Sequence, residues 1–346
     1  MRMNHEIDLS KYQIRTDLTL EAVENVTDKT GIEETTHEEE NIKVTKITLD
    51  HASAKTIQKK EGDYITIEFK DISDYQNREK VKEMFTKYLK ELLEKEHISK
   101  DAKCLMVGLG NRKSTPDALG PLTIDQILVT NHLFLLDTPE EGFRPVCAIA
   151  PGVMGETGME TSDLIQSVIV STKPDFVIVV DALASQSITR INKTIQMSNT
   201  GIHPGSGIGN SRKEISKEIL GIPVIAVGVP TVVDAVTVVS DTFQFLHKFY
   251  AFQKDFAHNP MQKMIHGQMN YLKQNISIKE EEKKELFGIL GNFNEEETKI
   301  LINEVLTPIG YNLMVTPKEV DFVMQNLSDV LGNGINLALH EKVTHL

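Results

Sequence analysis

Two cysteines in 346 residues, Cys104 and Cys147, are too few for a disulfide framework. Each lies inside an apolar run, and such sparse cysteine fits a reducing compartment. Positive charge is short as well: 37 lysines and arginines stand against 50 aspartates and glutamates, a net charge of −13. A phosphate backbone recruits a basic face, so direct nucleic-acid binding is disfavoured. An acidic chain remains suited to meeting a basic protein, because long-range attraction raises the encounter rate. No apolar run reaches the roughly 18–20 residues that cross a bilayer. Met1–Ser10 lack the apolar core of a signal peptide. These absences lead us to expect a cytoplasmic protein without membrane contact.

Several familiar signatures are missing too. After Gly108 and Gly110 the third glycine of a dinucleotide fingerprint would fall at position 113, which is Lys113. Gly152–Gly158 is glycine-rich but has no Gly-Lys-Ser/Thr ending, so it is not a P-loop. Ser206 has Pro204 where a nucleophile elbow needs glycine. The Asp-Thr-Gly and Asp-Ser-Gly triplets of bilobal aspartic proteases do not occur. A nucleotide-binding module built on the glycine loops is therefore the weakest reading.

What is present is a core-forming chain with 40% hydrophobic residues, enough for one large α/β domain and a smaller unit. Residues 1–40 are polar and end in Glu33, Glu34, Glu38, Glu39 and Glu40, a composition that suggests an exposed arm or mobile loop. Strand-like runs follow at 41–50 and 64–70. Residues 75–97 read as an amphipathic helix, with Val81, Met84, Phe85, Tyr88, Leu89, Leu92 and Leu93 forming one apolar stripe. Strands at 103–109, 145–150, 175–181 and 222–228 are too continuously apolar for a one-faced sheet. Helices are expected at 117–132, 159–171, 211–220 and 231–250. That order predicts an α/β fold, a layered and mostly parallel sheet flanked by helices. Beyond residue 253 the pattern is helical, at 279–292, 294–306 and 317–331, with Thr316-Pro317 as a helix start. The expected division is 18–252 for the α/β domain and 253–346 for a C-terminal helical extension.

The candidate chemistry sits at strand ends. Asp117 opens a helix after the turn Gly108-Leu-Gly-Asn111, and Asp181 ends the run Val177–Val180. Ligands bind at the carboxyl edge of a parallel sheet, so the two carboxylates can share one crevice. Asp117 also suits the first turn of a helix as a partner of its dipole. A carboxylate beside the core, like Asp181, is costly without purpose or partner. Two carboxylates in a half-buried crevice form an acid–base device, the start of a hydrolase argument. Gly108, Gly110 and Asn111 would let backbone approach that crevice, and the turns at 108–110 and 152–158 are candidate N–H donors to a developing oxyanion. His203 is either a loop histidine bonded to backbone or, with Asp117 and Asp181, a ligand of a divalent metal. Asp234, past another strand, either supports the site or caps a helix.

At this point the motifs resemble a known family. Gly108–Asn111, Thr115–Pro121, Val180–Ala184, Thr200–Asn210, Val229–Ala235, Asp8–Leu18 and, more weakly, Ile335–His340 closely resemble the germination proteases of spore-forming bacteria. The resemblance implies an endopeptidase that degrades small acid-soluble spore proteins during germination. It implies a zymogen, made in the developing spore, that removes its own prosegment, residues 1–17, by cutting between Asp17 and Leu18. It implies Asp117 and Asp181 as catalytic residues, no required metal or other cofactor, a homotetramer, and a place in the cytoplasm of the forespore and spore core. The implied fold is similar to that of hydrogenase maturation endopeptidases. Those enzymes suggest the alternative, a metal-dependent maturation-type endopeptidase using Asp117, Asp181 and His203.

Overall fold

The computed structural model describes residues 16–136, 141–205, 212–258, 280–306 and 313–344. Its strands are β1 (Ile32–Glu39), β2 (Ile42–Leu49), β3 (Gly62–Glu68), β4 (Cys104–Gly108), β5 (Val146–Ile149), β6 (Phe176–Ser185), β7 (Thr194–Ser198), β8 (Val224–Asp234) and β9 (Met314–Val315). Its helices are α1 (Thr19–Glu24), α2 (His51–Thr56), α3 (Tyr75–Lys95), α4 (Leu119–Asp125), α5 (Asn131–Leu135), α6 (Met154–Thr157), α7 (Thr161–Thr172), α8 (Lys217–Leu220), α9 (Ala235–His258), α10 (Glu280–Phe287), α11 (Glu295–Leu306) and α12 (Val320–Leu339).

Two compact units emerge. The larger contains 15–232 and 316–346 and is built on a sheet in the order β1-β2-β3-β7-β8-β6-β4-β5. β4 pairs in parallel with both β5 and β6, giving the α/β centre that continuous apolar runs require. β1, β2, β3, β7 and β8 pair antiparallel, so the sheet is mixed. Both faces are covered. Met106, Ile178 and Val180 lie in one core cluster with Phe85 and Leu89 of α3 and Leu327, Leu331 and Ile335 of α12. The alternate residues Leu105, Val107, Val177 and Val179 lie in the other, with Ile165 and Ile169 of α7.

α3 forms where the apolar stripe predicts it. Asp74 caps its start by accepting from the Asn77 N–H at 2.8 Å, and the stripe is buried except for a half-buried Met84. The acidic segment differs from its expectation as an arm: Glu33–Glu39 belong to β1, fully registered on β2 through a turn with Glu40 at φ 51° and Asn41 at φ 68°. Two left-handed residues make a tight hairpin turn, and backbone pairing rather than composition holds the strand. The helix expected at 211–220 shrinks to α8, because Ile215 instead bridges Ile202. The helix expected at 117–132 breaks into a 3-10 turn at Thr115–Asp117, α4 and α5. Thr316-Pro317 precede rather than start α12, and the Thr316 hydroxyl donates to Thr231 O at 2.9 Å.

The smaller unit contains Val233–Val315. Val233 and Asp234 pair with Val315 and Met314, so strand extends to 234 where helix was expected from 231; the β-branched Val232 and Val233 favour it. α9 packs on α11, and Phe287 stands in T-shaped contact with His247 and Tyr250 at ring-centroid distances of 4.5 and 5.8 Å.

Candidate active site

β6 runs on past the residue expected to end it. Its register pairs Gly108 with Val180, so Asp181 is the first residue of β6 beyond the paired length of β4. There β4 gives way to the glycine turn that follows it. Asp181 is only 6% exposed and accepts from the Ala182 N–H at 2.9 Å. Burial raises its pKa well above the usual carboxylate range, the charges of Asp117 and Asp17 raise it further, and the Ala182 N–H and Arg212 oppose.

Asp117 arrives by way of the glycine turn. Leu109 N–H donates to Val180 O at 2.8 Å, which ties the turn to β6. Gly110 has φ +108°, and a Cβ there would meet the carbonyl oxygen of Asp117 at 2.0 Å. A Cβ on Gly108 would likewise meet Gly120 O at 2.3 Å. Glycine is required at both positions for the start of α4 to lie against the end of β4. The Asn111 N–H donates to Asp117 Oδ2 at 2.8 Å, and the Thr231 hydroxyl holds Pro116 O at 2.6 Å. Burial raises the Asp117 pKa, against the Asn111 N–H and Arg212.

A third carboxylate joins them. Asp17 N–H donates to Ala184 O at 3.2 Å, and the Ala184 N–H donates to Asp17 Oδ2 at 2.8 Å, three residues along β6 from Asp181. Downstream, Glu21 is buried and accepts from the Ser185 hydroxyl at 2.6 Å and the Gln186 N–H at 2.8 Å. Arg190 bridges Glu21, Glu24 and Glu68. The peptide between Asp17 and Leu18 is thus fastened on both sides, alongside the strand that carries Asp181. Of the expected prosegment, residues 1–15 lie outside the described residues.

Other candidates are placed differently. His203 Nε2 lies 3.2 Å from Glu214, which also pairs with Lys60. Among the described residues no group of three or more His, Cys, Asp or Glu side chains is arranged to hold a metal ion, so Asp117, Asp181 and His203 form no such set. Asp234 accepts from the Val236 N–H at 2.7 Å at the start of α9 and belongs to the smaller unit. Ser206 lies outside the described residues. The turn expected to supply oxyanion donors has Leu109 and Asn111 N–H already committed. In Gly152–Gly158, the N–H groups of Glu156, Thr157 and Gly158 close turns within the segment. Sequence reading passed over Arg212, Lys59 and Gln196, which are a loop arginine, a lysine after α2 and a strand glutamine with no motif around them.

Two carboxylates close to one another in a desolvated place cannot both ionise easily, and the shared site favours the protonated form of one of them. Such a pair can take a proton from water and give one to an amine.

A family model described as germination protease matches residues 10–345. The germination proteases of Bacillus cereus (strain ATCC 10987 / NRS 248) and Bacillus mycoides (strain KBAB4) are 48% and 47% identical to this chain. Each alignment has 357 positions and covers 99% of this chain and 97% of the relative. Among solved structures, a nickel–iron hydrogenase maturation protease from Thermococcus kodakarensis KOD1 aligns with a TM-score of 0.28 and 19% identity, over 42% of this chain and 80% of that one. The chain belongs to the germination protease family, a family of peptidases.

Proposed function

We propose that the chain is the zymogen of an endopeptidase that removes its own residues 1–17. It then degrades small acid-soluble spore proteins during germination, as a homotetramer in the cytoplasm of the forespore and spore core. What supports this reading is that burial raises the pKa of both Asp117 and Asp181, that the charges of Asp117 and Asp17 raise that of Asp181 further, and that Asp17 is fastened to Ala184, three residues along β6 from Asp181. In this reading the ionised member of the pair takes a proton from water as the water attacks the carbonyl carbon of Asp17. The protonated member gives its proton to the Leu18 nitrogen as the C–N bond breaks. The two aspartates titrate as a unit, so the acid and base roles belong to the pair. Spore proteins would present an acidic residue to the place that Asp17 fills in the zymogen. Substrate class, tetramer and compartment rest on the family resemblance.

The test is intact-mass analysis of the purified chain at neutral and mildly acidic pH, with EDTA in one arm. The wild type should lose residues 1–17 with or without EDTA. Asp117→Asn and Asp181→Asn should each slow the loss at least about 100-fold, the range expected for removing a general acid or base. Normal processing by both variants would sink the dyad, and processing blocked by EDTA alone would point to a metal-dependent peptidase.

A further inference from the structure

Side chains that the acid–base pair leaves unused hold the carbonyl group at the Asp17–Leu18 bond. Lys59 Nζ donates to Thr16 O at 2.7 Å and to Asp17 O at 3.2 Å. Gln196 on β7 sits astride the same peptide. Its Nε2 donates to Asp17 O at 3.2 Å, and its Oε1 accepts the Thr19 N–H at 2.6 Å. The Leu18 N–H turns instead to the Thr16 hydroxyl at 3.0 Å. The carbonyl oxygen of residue 17 therefore faces two side-chain donors, one of them a lysine amine.

Lys59 is half-buried, and taking an ammonium group even partly out of water is costly unless its surroundings offset the loss. Among the described residues, the side-chain hydrogen bonds of Lys59 go to those two carbonyls. Burial lowers its pKa, while the charges of Asp17 and Glu21 oppose. In the resting chain the ammonium faces two neutral carbonyls, with the charges of Asp17 and Glu21 nearby. It contributes much more when one of those oxygens becomes an anion, because a donor already in place needs no reorganisation at that moment. In the glycine turn after β4, the Leu109 and Asn111 N–H groups are engaged elsewhere.

We propose that Lys59 and Gln196 are the oxyanion-binding pair for cleavage between Asp17 and Leu18; this rests on the self-processing reading above. Water oxygen bonds to the Asp17 carbonyl carbon, its proton passes to the ionised aspartate, and the C=O electron pair moves onto the oxygen between Lys59 and Gln196. Collapse restores the carbonyl and breaks the C–N bond, and the protonated aspartate supplies the Leu18 amine. One water is consumed, an acid and an amine are made, and the pair ends with the one proton it began with. Lys59, as the charged donor, should matter more than Gln196.

Time-resolved intact mass on the full chain tests this, with thermal melts of every variant beside it. Wild type should yield a chain beginning at Leu18, and Asp181→Asn should not. Lys59→Met should slow the first-order rate at least about 100-fold, and Gln196→Leu at least about 10-fold, while both still melt cooperatively. Lys59→Arg should recover to within roughly 10-fold of wild type, since it restores a charged donor. A Lys59→Met chain processed within about threefold of wild type overturns the inference; 3-fold is under about 0.7 kcal/mol of barrier. Should Lys59→Met fail to fold, Gln196→Leu decides, and processing within about twofold of wild type overturns it. An intact wild type, or processing by Asp181→Asn, sinks the self-processing reading and this inference with it. A processed wild type, with processing lost in Asp181→Asn and slowed in Lys59→Met and Gln196→Leu, supports both.

Discussion

A carboxylate whose pKa is raised by burial weakens the fold at pH values where the unfolded chain would carry it ionised. Asp181 and Asp117 both have raised pKa, from burial first and, for Asp181, from the other carboxylates next. An acid with a raised folded-state pKa binds its proton more tightly in the native chain than in the unfolded one. Its contribution to stability is complete below the unfolded value, about 3.9 for Asp. It is lost as pH rises through the higher folded value. Asp181→Asn should therefore melt above wild type at pH 7, by about 2–4 °C for each kcal/mol relieved. The gain should shrink as pH falls towards about 4, and calorimetry across pH 4–8 checks both signs. Gly110 carries the opposite expectation. With φ at +108° and the Asp117 carbonyl 2.0 Å from a new Cβ, Gly110→Ala must displace the aspartate it packs against. We expect a loss of about 1–3 kcal/mol and a fall in processing of more than about 10-fold, read by denaturant melts and intact mass.

At the scale of elements, pattern and packing divide the explanation. α3 was legible because its apolar residues recur on one face, and β4 and β6 because runs such as Phe176–Val180 suit a strand covered on both sides. β1 was not legible, because Ile32–Glu39 is almost wholly exposed and acidic, and only the ladder to β2 makes it a strand. As the sheet's edge, its charge discourages pairing with other chains. α12 carries Gly332 and Gly334 in mid-helix, each costing about 1 kcal/mol of helix propensity relative to Ala. Packing explains them: a Cβ on Gly334 would lie 2.5 Å from the Phe85 ring of α3, and one on Gly332 2.3 Å from Gln126, just past α4. Gly334→Val should therefore destabilise by about 1–3 kcal/mol through overpacking, despite removing a glycine from a helix. Urea melts decide the sign.

Across the whole molecule, the charge of −13 speaks to partners rather than fold. At 0.15 M salt the protein should leave duplex DNA unshifted in a gel up to roughly 10 µM, because no excess of basic charge drives counterion release. A shift at lower concentration, weakening steeply with salt, would overturn that expectation. The alternation of strand and helix, the two aspartates at one sheet edge and the family resemblance were all present in the one-dimensional chain. They depend on residue type and spacing, which a sequence displays directly. Where β1 pairs, how α12 covers α3 and α4, and why Asp17, Lys59 and Gln196 meet at one peptide were decided only by tertiary structure. Gln196 and Asp17 stand far apart in sequence and touch because the chain before α1 passes over β7. No periodicity encodes such a contact, since it arises from the sum of turns and strand pairings between them.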